Sequence, residues 1–202
     1  MGSNFDILNN MDKTKFTVVG IAPQSIQEAL IKLKQHFNLP LGTTEIAKHY
    51  ILKDIVHFAI KRTFYLKSSI KQQDLVSRIN QLSLKSKALI SCNETGMFSG
   101  STYGDILYVK INFNQNLIDL HNELTEKLDD LVETKNPEME KSNYIPHLSM
   151  VYNIPKELTQ EVDAYVKKNI LPLEFELSEI LLLKDFDISK DERELIYTQR
   201  LS

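Results

Sequence analysis

Two short segments with one layout constrain this chain more than anything else in it. His57-Phe58-Ala59 and His147-Leu148-Ser149 each lie in a stretch of strand-like alternation, and they stand 90 positions apart. The strand-like stretches that open the two halves, around Phe16 and Leu107, are separated by 91 positions. Two elements repeating at nearly one offset point to a duplicated unit, which builds a cleft about a pseudo-twofold axis.

Each half reads as βαβαβ. In the first, Phe16 to Ile21 alternates as a strand, and Ile26, Leu30, Leu33 and Phe37 recur at helical spacing after Pro23. Strand Ile55 to Phe64, helix Gln72 to Leu82 and strand Ala88 to Ser91 follow. The second half repeats the order with strand Ile106 to Phe113, helix Leu117 to Val132, strand His147 to Tyr152, helix Leu158 to Ile170 and strand Leu173 to Leu183. A last strand, Glu194 to Leu201, closes the chain. The expected fold is α+β and bilobal, with two antiparallel sheets facing a central cleft and helices outside. Residues 1–202 form a single domain in this reading, with lobes over 14–92 and 105–185, strand 193–201 completing the sheets, and 1–12 a flexible N-terminus.

The segment Gly96 to Gly104 holds three of the six glycines and falls between the halves. No Gly-Lys-Ser/Thr follows it, so it reads as a hairpin or an inter-lobe connection rather than a phosphate-binding P-loop. A net charge of −3 gives no whole-protein positive field for long nucleic acid. One cysteine, Cys92, excludes an internal disulfide, and the longest wholly aliphatic run, Ile180 to Leu183, is far too short to span a bilayer. No basic region followed by an apolar stretch opens the sequence, so a cytoplasmic protein without membrane contact is expected.

On a strand, residues i and i+2 share a side about 6.6–7 Å apart, which pairs His147 with Ser149. An imidazole and a hydroxyl so placed can grip one phosphoryl group, and a second histidine strand facing them adds a proton donor or acceptor. Histidine titrates near neutrality, so the pair needs neither metal nor cofactor. The same alternation puts Lys61 on the His57 face, about 13 Å along, as a phosphate contact or a strand-end charge. It turns Arg62 to the opposite face as a structural residue, and leaves Thr63 about 20 Å from His57. Tyr103, Tyr144 and Tyr152 are candidates for stacking on a nucleobase or for packing in the core or rim. His36, His49 and His121 read as structural, and no two of them have the spacing of a zinc site.

These motifs resemble the paired His-x-Thr/Ser signature of the two-histidine (2H) phosphoesterase superfamily, which includes 2'-5' RNA ligase-like proteins and cyclic nucleotide phosphodiesterases. Tyr144-Ile145-Pro146-His147-Leu148-Ser149-Met150 matches the second motif, whereas the first carries Ala59 where the family has a hydroxyl. The resemblance implies a metal-independent phosphodiesterase acting on a nucleotide or oligonucleotide with a 2',3'-cyclic phosphate or a 2'-5' linkage. His57 and His147 are then the general acid and base, and Ser149 with Lys61 holds the phosphate. The expected partner is a nucleotide or short RNA, bound by a monomer. Loss of the hydroxyl at Ala59 leaves an alternative, a weakened or inactive module that binds nucleotides or RNA ends.

Overall fold

Apolar alternation becomes strand wherever one face can be covered by helices, and four amphipathic helices supply that cover here. The computed structural model describes residues 14–41, 45–46, 49–83, 87–101, 104–187 and 192–201. Its strands are β1 (Lys15–Ile21), β2 (Glu45–Ile46), β3 (His49–Ile51), β4 (His57–Leu66), β5 (Ala88–Ser101), β6 (Gly104–Ile111), β7 (Val132–Thr134), β8 (His147–Ile154), β9 (Leu173–Leu177), β10 (Glu179–Asp187) and β11 (Glu192–Arg200). The helices are α1 (Gln24–His36), α2 (Gln72–Asn80), α3 (Gln115–Leu128) and α4 (Thr159–Asn169).

Ile26, Leu30 and Leu33 of α1, Leu117, Leu120, Leu124 and Leu128 of α3, and Val162 and Val166 of α4 bury one stripe each against the sheet. Asn114 caps α3 by accepting from Leu117 N–H (2.9 Å), and Asp74 reaches back to Lys71 N–H (2.9 Å) at the start of α2. On the sheet, Phe16, Val18, Phe58, Ile60, Leu107, Val109, Leu148 and Met150 meet those stripes in one core. The helices therefore occupy the face away from the histidines.

The strands run in the order β2-β3-β11-β10-β1-β4-β8-β6-β5-β9, with β7 pairing the far end of β4. The two expected half-sheets are there, but they join at the β4–β8 seam through one residue pair, His57 opposite Ser149, so hydrogen bonding is continuous. Each half-sheet also takes its third strand from the other half of the chain: β5 pairs β6, and β10 pairs β1. The half-sheets are thus not the contiguous stretches 14–92 and 105–185.

Leu173 to Leu183 does not form one strand. β9 pairs β5, the chain turns at Ser178, and β10 pairs β1 in the other half-sheet. The phase of the alternation breaks there, where Ser178 and Glu179 are two polar residues in a row before the aliphatic run Ile180 to Leu183. Helix α3 stops at Leu128 rather than Val132, since Val132 to Thr134 pairs with Phe64 to Leu66. The glycine segment resolves as the β5–β6 hairpin, with β5 running on to Ser101. Residues 1–12 and Tyr103 lie outside the described residues. No helix among the described residues is long and apolar enough to cross a membrane.

Candidate active site

His57 begins β4 and His147 begins β8, and both line one cavity of about 270 Å³ beside the seam. The two rings are held alike. His57 Nδ1 lies 3.1 Å from the carbonyl of Ile55, and His147 Nδ1 lies 3.1 Å from the carbonyl of Ile145. A carbonyl only accepts, so each Nδ1 carries the hydrogen and each Nε2 is left for the cavity. The i−2 contact is the same in both motifs.

Burial pushes both imidazoles down to about 4. For His57 the Ile55 carbonyl, and more weakly the Leu52 carbonyl, oppose burial, while the Arg193 charge adds to the lowering. For His147 the Ile145 carbonyl opposes, while Arg62 and His57 add to the lowering. An anion in the cavity opposes this lowering, because a nearby negative charge favours the imidazolium.

Ser149 stands opposite His57 across the seam, and directly paired residues in an antiparallel ladder point to one side. It is buried beneath the site and does not line the cavity itself. Ala59 does line it, and the hydroxyls that do so are Thr17 and Thr63.

Lys61 is not at the site. Between Phe64 and Ala59, strand β4 slips register twice against β1, pairing Phe64 with Phe16, Lys61 with Val18 and Ala59 with Val19. Each slip inserts one residue, which inverts the alternation between them and restores it afterwards. Lys61 and Arg62 therefore exchange faces. Lys61, paired with the wholly buried Val18, enters the helix side, where its Nζ meets Glu140 Oε2 (3.4 Å) and Thr134 Oγ1 (3.3 Å). Burial holds its ammonium below the ordinary lysine range against the pull of Glu140. Arg62 faces the cavity instead, with Thr63. The guanidinium donates to Met139 Sδ (3.1 Å), and no carboxylate pairs with it among the described residues.

The tyrosine candidates divide. Tyr144 is buried, its ring lies on His121 at 3.8 Å, and its hydroxyl donates to the Ala59 carbonyl (2.9 Å). It is a brace for β4, not a stacking surface. Tyr152 is parallel to His57 at 6.5 Å between ring centroids. Beside His147 stand two rings passed over in the sequence, Phe98 and Tyr108, stacked at 4.2 Å and edge-on to the imidazole at 5.1 and 5.2 Å. Gly96 allows this, since a Cβ there would lie 2.3 Å from the Tyr108 ring.

His121 keeps its structural role. Its Nδ1 donates to the Ile60 carbonyl (2.6 Å), and its Nε2 accepts from Lys141 N–H (3.0 Å). A backbone N–H can only donate, so this ring is neutral, and burial lowers its pKa further from the charged form. Thr125 completes the buried set with a bond to Glu140 Oε2 (3.0 Å). On the cavity side, Arg193 pairs with Asp185 (3.0 Å), and Lys135 and Asn136 complete the rim. No group of three His, Cys, Asp or Glu side chains is gathered to hold a metal ion among the described residues.

Two half-sheets that each present a histidine to one cationic cleft define the two-histidine class of phosphoesterase folds. The profile of the 2'-5' RNA ligase superfamily matches residues 49–186, and the chain belongs to that superfamily. No curated protein sequence matches it significantly. Among solved structures it is similar to Escherichia coli LigT complexed with 3'-AMP, at 13% identity over 94% of this chain and 98% of that one, TM-score 0.61. A crystal structure described as a phosphoesterase aligns over 95% and 99% at 13% identity, TM-score 0.60. TT0787 of Thermus thermophilus aligns over 93% and 97% at 12% identity, TM-score 0.55. At these identities the likeness is one of fold.

Proposed function

We propose that the protein is a phosphodiesterase that cleaves a nucleotide or short oligonucleotide at a 2',3'-cyclic phosphate or a 2'-5' linkage. The observation that carries this reading is the pair of Nδ1-anchored imidazoles sharing one cavity with Arg62, Lys135 and Arg193. Water attacks phosphorus, a neutral histidine takes the water proton at Nε2, and a new P–O bond forms. The ester P–O bond breaks as the second histidine, protonated, gives its Nε2 proton to the departing oxygen. No metal enters the scheme. A nucleotide substrate is supported by superfamily membership, and E. coli LigT has been crystallised with 3'-AMP, ATP and NADP+.

The deciding assay is HPLC of the purified protein against 2',3'-cyclic nucleotides, 2'-5' oligoadenylates and cyclic dinucleotides in EDTA. Turnover of one class identifies the linkage, and no turnover of any class sinks the proposal. Arg62 takes the phosphate-holding role first read for Lys61. Arg62→Ala raises KM by about one to two powers of ten, the worth of a hydrogen bond to a charged group, and leaves the urea midpoint in place. An unchanged KM removes Arg62 from the site.

Ala59 favours a second reading, a module that binds nucleotide ends without turnover. Ala59 lines the cavity, so a hydroxyl there meets the ligand. Ala59→Ser raises kcat/KM if the site is an enzyme with a weakened clamp. Tight nucleotide binding with no cleavage by parent or variant favours the module.

A further inference from the structure

The peptide between Ile55 and Val56 is engaged at both ends. Its carbonyl accepts from His57 Nδ1 (3.1 Å), and its N–H donates to Gln27 Oε1 (2.8 Å). Gln27 is buried on α1, and its Nε2 donates to the carbonyls of Ala22 and Val56, each at 2.9 Å. Those three backbone partners have fixed donor and acceptor roles, so they also fix which end of the amide is oxygen. A second grip from α1 holds the same approach, Lys34 to Asp54 at 3.2 Å.

We propose that Gln27 is a positioning residue for His57, acting through the Ile55–Val56 peptide to hold the ring as its Nδ1–H tautomer with Nε2 in the cavity. The proposal rests on the reading of His57 as a proton-transfer group. Hydrogen bonds in a chain polarise one another, so donation to Gln27 makes the Ile55 carbonyl a stronger acceptor. A stronger acceptor at Nδ1 favours the imidazolium, which opposes the desolvation of this buried ring.

His147 has no such brace. Its Nδ1 partner is the Ile145 carbonyl, but the next residue is Pro146, whose nitrogen has no hydrogen to donate. The two motifs share the i−2 carbonyl and differ in what stands behind it. His57 thereby holds a proton more readily than its burial alone permits, and the duplicated site becomes unequal. The Leu52 carbonyl is a second backbone acceptor at His57, Tyr152 on β8 lies parallel to it, and His147 on β8, Arg62 on β4, Asp185 on β10, Arg193 on β11 and Lys135 on the rim line the same cavity. All of them stay in place when Gln27 is changed.

The test is ¹⁵N NMR of the histidine rings, together with kinetics on 2',3'-cyclic AMP. In the parent, His57 shows the Nδ1–H tautomer. In Gln27→Met its midpoint falls by about half a pH unit, more than any change at the coupled His147, and kcat drops with KM unchanged. Val56→Pro removes the N–H itself and reproduces the Ile-Pro-His sequence of the second motif, so it gives the same shift with Gln27 intact. The proposal is overturned by an Nε2–H tautomer in the parent, or by an unmoved His57 midpoint in either variant that folds. Should the parent hydrolyse nothing, the assigned function fails, yet the ring spectra still decide whether Gln27 positions His57.

Discussion

His57→Ala and His147→Ala are each expected to lower kcat on the hydrolysed substrate by about 10²–10⁴-fold in EDTA, the usual contribution of one positioned proton-transfer group. The two losses do not add, because the groups act in one step, and the double variant is little worse than either single one. Near-parental turnover by either variant would exclude the two-histidine mechanism. The pH dependence carries a further sign. In the free protein both rings are held at about 4, so kcat/KM falls as pH rises above that value and the proton-donating histidine empties. A phosphate monoanion bound between the rings favours the imidazolium and moves the basic limb of kcat to higher pH than that of kcat/KM. Because the rings sense one another, the limbs belong to the pair rather than to one residue. Coincident basic limbs would mean that no negative charge sits against the histidines.

Lys61→Met is expected to cost about 3–5 kcal/mol of unfolding free energy, read as a lower midpoint in urea, because it strands the Glu140 carboxylate in the core. Glu140 Oε1 already has no hydrogen-bond partner, and Oε2 accepts from Lys61 and Thr125. Replacing both charges, as in Lys61→Met with Glu140→Leu, restores most of the loss, since two apolar chains of similar volume are tolerated where one unpaired charge is not. The contrast with Arg62→Ala is the point of the experiment. On the proposed reading one side chain carries stability and the neighbouring one carries binding, the reverse of what plain alternation implies. A Lys61→Met protein of parental stability with raised KM would return Lys61 to the cleft.

Legibility in the sequence followed the range of the interactions. The matched motifs, the βαβαβ order and the helix stripes were readable because each depends on spacing within one element. His57 and His147 were readable for the same reason, since an imidazole at the start of a strand is fixed by its own i−2 carbonyl. Lys61 was misplaced because a double register slip depends on β1, a partner with no trace in the alternation of β4. The choice for Tyr144 between stacking on a base and packing in the core stayed open because its partners, Ala59 and His121, belong to other elements. Phe98 was passed over within the glycine-rich connection and Tyr108 as an ordinary strand residue, and only the β5–β6 hairpin brings them against His147. Glu140 stood in a polar stretch that reads as a loop, and nothing local marks it as the counterion of a lysine 79 positions earlier.

By itself, the sequence determined that two histidine strands exist, that they stand in matched layouts 90 positions apart and that the second has Ser149 where the first has Ala59. Hydropathy period and motif spacing are properties of neighbours along the chain, and they need no partner to be expressed. Tertiary structure alone decided which side chains share the cavity, through the slips in β4, the exchange of third strands between half-sheets and the reach of α1 across to the Ile55–Val56 peptide. Those choices are made where backbone donors and acceptors must be satisfied between distant segments. The Ala59 site is accordingly framed by Thr17, Arg62 and Thr63 from two strands, not by the next hydroxyl or lysine in simple alternation.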